Sequence, residues 1–111
     1  MEVIKSSRGT YPVLQLKGRF DAHEVEPVNA WLADLAKNGN SKVIVNLEGV
    51  NFVDSTALST LVRGLKLCRE QKGNLHICSL QQTVRVIFEL TRLDKAFDIY
   101  STEDEAAKGF E

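Results

Sequence analysis

Apolar positions recur along this chain with two different periods. Val43-Ile44-Val45-Asn46-Leu47 is an almost unbroken apolar run, the pattern of a strand buried on both faces. From Ser55 to about Gln71 the period becomes helical. Leu58, Leu61, Val62, Leu65 and Cys68 fall on one stripe, with Ser59, Arg63, Lys66 and Glu70 opposite. A core strand thus hands over to a long amphipathic helix through Asn51-Phe52-Val53-Asp54-Ser55-Thr56-Ala57-Leu58, a junction that can expose a hydroxyl beside a helix N-terminus.

The remaining elements follow from the same reading. Val3-Ile4 and Tyr11 to Leu16 predict two strands, joined by turn chemistry at Ser6-Ser7-Arg8-Gly9. Val13, Leu14 and Leu16 break strict alternation, which predicts burial on more than one face, and Pro12 belongs near the strand start. Lys17-Gly18-Arg19-Phe20-Asp21 is expected to end the strand and turn the chain. A helix is expected from about Glu24 to Lys37, with Val25, Val28, Trp31, Leu32, Leu35 and Ala36 on one face and Pro27 in the first turn. Asn38-Gly39-Asn40 is its stop signal. After the Val43–Leu47 strand, Glu48-Gly49-Val50 reads as a connection.

Lys72-Gly73-Asn74 ends the long helix, and Leu75 to Cys78 reads as a strand. Gln81 to Leu90 fits a helix with Val84, Ile87, Phe88 and Leu90 inward or at its margin. Arg92-Leu93-Asp94-Lys95 breaks it, Ala96 to Tyr100 is a last strand, and Ser101 to Lys108 can cap and form a terminal helix with acidic residues in its first turn. The order is β-β-α-β-α-β-α-β-α. This is an α/β chain whose mixed, mostly parallel sheet has packed helices and an antiparallel opening hairpin.

Composition narrows the function without naming it. At 111 residues the chain is one domain, 43% hydrophobic and 26% charged, with a net charge of −1. That balance gives no field for nucleic acid or an anionic membrane, and Lys37, Lys42, Arg63, Lys66 and Arg69 are scattered enough to read as solvated surface. No apolar run approaches the roughly 20 residues of a membrane span and no signal peptide opens the chain, so the expected address is cytoplasmic. Cys68 and Cys78 are expected as buried thiols rather than a disulfide, and two histidines without a C-x-x-C leave no zinc pattern. Val53-Asp54-Ser55-Thr56-Ala57 lacks the Gly-x-Ser-x-Gly elbow of hydrolases, and no Gly-rich phosphate loop is present. A binding protein without metal or cofactor is expected, not an enzyme.

Three stretches together resemble the STAS-domain anti-sigma factor antagonists of bacteria. The first is Leu47 to Leu58, where the family pattern is an apolar strand, a short connection and Asp-Ser-Ser/Thr-Gly-Leu-Gly opening a helix. The second is Leu16-Lys17-Gly18-Arg19-Phe20-Asp21, similar to the family's Gly-x-[Leu/Phe]-Asp turn. The third runs from Gly73 to Cys78 and on through Val84-Arg85-Val86-Ile87-Phe88 to Thr91-Arg92-Leu93. The resemblance spans the chain, residues 1–111, as a single STAS domain.

It implies that Ser55, directly after the aspartate, is phosphorylated by an anti-sigma factor that is also a Ser/Thr kinase, with Thr56 the second choice. The unphosphorylated form would bind that anti-sigma factor and free a sigma factor, and a metal-dependent serine phosphatase would reverse the modification. The implied partner-facing surface comprises Asp21, Asn51, Asp54, Ser55, Thr56, Ala57 and Ser59. The family's glycines at 57 and 59 are alanine and serine here, which implies a changed fit and a different partner.

Other readings stay open at this point. Asp54-Ser55-Thr56 has the composition of a plain helix cap, and Asp21 that of a turn residue. His23 reads as a solvated loop residue, His76 as packed or at an edge, and Trp31 as core. Leu67 lies off the apolar stripe beside Thr60, either packed against another element or in contact with a partner. A STAS scaffold in a stress-sensing assembly, or a cytoplasmic subunit of a transport complex, is the alternative function.

Overall fold

The computed structural model describes residues 1–111. Its elements in chain order are β1 (Glu2–Arg8), β2 (Tyr11–Phe20), α1 (Val25–Lys37), β3 (Lys42–Val53), α2 (Ser55–Glu70), β4 (Asn74–Cys78), α3 (Gln82–Leu90), α4 (Leu93–Ala96), β5 (Asp98–Tyr100) and α5 (Glu103–Lys108). The five strands form one sheet in the order β1-β2-β3-β4-β5, with β1 antiparallel to β2 and every other pair parallel. Each parallel step advances one place in the same direction. With a constant crossover hand, the connecting helices α1, α2 and α3–α4 then fall on one face.

That face carries the main core. Leu14, Leu16 and Phe20 of β2, Val43, Val45, Leu47, Val50 and Val53 of β3, and Leu75 and Ile77 of β4 meet Val28, Trp31 and Leu32 of α1, the stripe of α2, and Val84 and Phe88 of α3. A fully buried Leu or Phe contributes about 1.5–3 kcal/mol each, so these contacts dominate the fold. Val13, Ile44 and Cys78 point to the opposite face, where Ala106 covers them. The expected two-sided burial of β2 is therefore real.

Ala106 is the one fully buried side chain of α5, so polar contacts do much of the docking of this helix. Arg8 Nε lies 2.8 Å from Glu103 Oε1, and Asn46 Nδ2 donates to Glu103 Oε2. His76, buried, stacks on Phe110 at 3.7 Å and 4°. Its Nδ1 is 2.8 Å from the Ala106 carbonyl, which can only accept, so the proton sits on Nδ1. Burial lowers the His76 pKa and favours this neutral form. Both cysteines are free and buried, and burial pushes each thiol up to about 11.

Several boundaries differ from the sequence reading, each for a physical reason. β1 continues to Arg8, and the hairpin turn is the two-residue Gly9-Thr10 with Gly9 at φ +61. β2 does not stop at Leu16, nor β3 at Leu47. Both run on as paired strands through two register shifts, between Gln15 and Lys17 and between Gly18 and Arg19. Gly18 and Gly49, which read as turn signals, are instead paired strand residues beside the register shifts, opposite Val50 and Lys17, and the extra residues lie on β3. Gly18 sits at φ +109, and a Cβ on Gly49 would lie 3.1 Å from the Leu16 carbonyl oxygen.

Arg92 breaks α3 as expected, in a left-handed conformation at φ 63, but Leu93–Ala96 then form a further helical turn and β5 starts only at Asp98. Leu90 is 79% exposed rather than inward. Two residues past the buried Phe88 a helix has turned by roughly 200°, which points Leu90 away from the sheet. Thr60 and Gly64, outside the expected α2 stripe, are buried. A Cβ on Gly64 would come within 2.6 Å of Leu32 Cδ1, so α1 and α2 approach closely there. Leu67 remains 37% exposed.

The bulge geometry makes a prediction. Gly18→Ala places a side chain at a φ that L residues rarely adopt, and should destabilise the fold by about 1–3 kcal/mol in urea unfolding. An unchanged midpoint would show that β2 tolerates a side chain at this position.

Candidate functional site

The C-terminal ends of β2 and β3 lie side by side, with Phe20 opposite Val53. Each strand then leaves the sheet toward a helix, β2 through Asp21–Glu24 into α1 and β3 through Asp54 directly into α2. Asp54 is extended at φ −110 and ψ −179, the geometry of an N-cap. Its Oδ1 accepts the Ala57 N–H at 2.8 Å, and its Oδ2 accepts the Ala22 N–H at 2.9 Å. One carboxylate therefore caps α2 and ties the β2–α1 loop to it. The Ala57 N–H is the largest cause of the lowered Asp54 pKa; burial opposes it, and the Ala22 N–H adds to it.

Asp21 organises the neighbouring loop. Its Oδ1 accepts the His23 N–H at 3.1 Å, and its carbonyl accepts the Glu24 N–H at 2.9 Å. Arg19 stands beside it, Nε 3.7 Å from Asp21 Oδ2, with its guanidinium 3.9 Å over the Phe52 ring. His23 is exposed, as the sequence suggested.

Ser55 and Thr56, the first two residues of α2, are both exposed; the Ser55 N–H finds no partner within the fold, while the Thr56 N–H adds to the backbone groups that favour the ionised Asp54 carboxylate. Ser59 is exposed one turn further on. Asn51 is exposed near the end of β3, where its carbonyl receives the Thr83 hydroxyl at 3.5 Å. The structure thus brings Asp21, Asp54, Ser55 and Thr56 together, with Asn51 and Ser59 flanking them.

Ala57 is the exception among the expected surface residues. It is fully buried in the main core, because the third helical position turns back toward the sheet. Its contribution to the site is the N–H that Asp54 accepts.

A feature not expected from sequence adjoins this surface. An open groove of about 590 Å³ runs along α2, lined by Ser55, Leu58, Ser59, Val62, Arg63 and Lys66 on one side and by Thr91 and Leu93 on the other. The sequence reading put Leu58 and Val62 on the buried stripe and Arg63 and Lys66 on solvated surface, not together along one groove. The α3–α4 wall depends on tertiary packing. No group of three His, Cys, Asp or Glu side chains is placed to hold a metal ion, and no helix is long and apolar enough to cross a membrane.

Comparison with known proteins adds an independent line. The family model described as the STAS domain matches residues 3–106. BtrV of Bordetella bronchiseptica, named as a candidate anti-sigma factor antagonist, is 26% identical over 95 residues, covering 86% of this chain and 82% of BtrV. The anti-sigma-B factor antagonist of Staphylococcus aureus is 29% identical over 80 residues, covering 72% of this chain and 74% of that protein. A solved structure from Thermotoga maritima, described as a candidate anti-sigma factor antagonist, superposes with a TM-score of 0.90 at 23% identity, covering 97% of this chain and 93% of its own.

The Asp54 strap is directly testable. Asp54→Ala should lower the thermal midpoint by several degrees and speed amide exchange at residues 21–24. Asp54→Asn, which keeps an acceptor oxygen, should lose less. Because the folded pKa is depressed, the stabilisation is complete above the ordinary value of 3.8 and fades as pH falls through the lower folded value. Acid unfolding of Asp54→Ala should lack that contribution. Equal acid limbs in both proteins would remove the charged cap from the account.

Proposed function

The chain belongs to the STAS-domain family, and from that premise we propose that it is an anti-sigma factor antagonist switched by phosphorylation of Ser55. The unphosphorylated form binds an anti-sigma factor that is also a Ser/Thr kinase, and so frees a sigma factor or an equivalent regulator. A metal-dependent serine phosphatase restores the binding form. The protein acts by occupying its partner, not by catalysis.

The observation that carries this reading is the position of Ser55. It is exposed, it follows the capping Asp54, and it opens α2 beside the Asp21 loop. A kinase can reach its hydroxyl without unfolding any element. Thr56 is also exposed, one position further into the helix, and is the second choice.

The physical effect of the modification follows from its surroundings. A phosphoserine adds about −1.5 to −2 charges at neutral pH. The free N–H group of Ser55 and the N-terminal end of α2 favour that anion, while the Asp54 carboxylate next to it opposes it. The main core lies behind this surface, so the fold survives and the cost falls on the complex. Burying an uncompensated charge in an interface costs about 3–5 kcal/mol. At about 1.4 kcal/mol per tenfold, affinity drops by on the order of 100-fold or more.

The test is a pull-down from native lysate with wild type, Ser55→Ala and Ser55→Asp in parallel, read by mass spectrometry. Wild type and Ser55→Ala should retain a kinase-type anti-sigma factor that Ser55→Asp loses. Retention of one common partner by all three would make Ser55 a helix-cap neighbour only, and the protein a scaffold.

A further inference from the structure

The groove along α2 continues past the switched serine, and its chemistry is selective. We propose that it seats an acidic amphipathic helix of the partner, with carboxylates on Arg63 and Lys66 and apolar side chains over Val62 and Leu93. This deepens the proposed function and rests on it only for which protein supplies the helix.

Two observations carry the assignment. The first is charge. The two ionic residues lining the groove are both basic, in a chain whose net charge is −1. Neither has a carboxylate within ion-pair distance, whereas Arg8 pairs with Glu103 and Asp104 and Arg19 with Asp21. Arg63 makes one long contact, 3.4 Å to the Thr60 hydroxyl, and its guanidinium is otherwise free to form the paired hydrogen bonds that carboxylates accept.

The second is shape. From Ser55 to Lys66 the α2 wall is three helical turns, roughly 16 Å long, matching a short helix laid alongside it. Its half-buried Val62 is flanked by Ser59, Arg63 and Lys66 and faces Leu93 across the groove, the layout that an amphipathic helix complements.

The assignment also sharpens the switch. Ser55 lines the end of the same groove, so a phosphate there faces an acidic occupant and repels it along with any closer contact.

The experiment titrates the isotope-labelled full chain with a short helical peptide bearing Glu on one face and Leu on the other, and with the same peptide bearing Lys for Glu. The Glu peptide should shift the amides of residues 55–66 and 91–93. Its affinity should fall roughly tenfold at high salt and in the Arg63→Glu/Lys66→Glu variant. The Lys peptide should leave those amides in place. Equal shifts from both peptides, no shifts with the Glu peptide, or unchanged binding by the double variant would overturn the proposal. Both substitutions are on exposed side chains, and the variant's own amide spectrum reports whether it is folded. Peptide binding without capture of a kinase-type anti-sigma factor would leave the groove standing and remove the proposed function. The reverse result would remove the groove alone.

Discussion

The pairing of β2 with β3 sets the geometry on which the candidate site around Asp54 and Ser55 depends. β3 carries two more residues than β2 across their common length, taken up at the register shifts after Gln15 and Gly18. Those shifts bring Phe20 opposite Val53, and so place the Ala22 N–H within 2.9 Å of the Asp54 carboxylate. A different register would move alternate side chains to the wrong face of the sheet and separate the two loops. Beside the shifts, Gly18 takes a φ of +109 that a side chain would strain, and Gly49 lies too close to the β2 backbone for a Cβ to fit without movement.

From that register the chemistry follows in short steps. The Asp54 carboxylate is anchored by two backbone N–H groups on different elements, which holds it ionised and rigid. Helix α2 starts from it, with Ser55 facing water and Ala57 facing the core. The same rotation along α2 that buries Leu61 and Leu65 against the sheet leaves Ser59, Arg63 and Lys66 along the groove. The opposite face of the sheet, under α5, has its own polar fastening through Arg8, Asn46 and Glu103 and takes no part in this end.

The sequence made some of this legible and hid the rest for identifiable reasons. Val43–Leu47, the α2 stripe and the Asp54 cap were readable because strand and helix periods and cap chemistry are local properties. The free thiols at Cys68 and Cys78 and the buried Trp31 were readable from composition and periodicity. Gly18 and Gly49 were misread because glycine marks a turn and a strand position beside a register shift equally well, and the partner strand decides which. Leu90 was misjudged because hydrophobicity alone was weighed against its angle from Phe88. Ala57 was placed at the surface by analogy with the glycine of related chains, although the third position of α2 faces the core. The Asp54–Ala22 strap and the α3–α4 wall of the groove join residues distant in sequence, and no spacing rule reaches them.

The central claim is that a phosphate on Ser55 acts at this surface and leaves the fold behind it intact. Amide hydrogen exchange on the protein with phosphoserine installed at position 55, compared with the unmodified chain, tests it most directly. The account predicts unchanged protection in β2, β3 and β4, with differences confined to residues 21–24 and the first turn of α2. Loss of protection along β3 or through the length of α2 would contradict it, because the modification would then work by loosening the core.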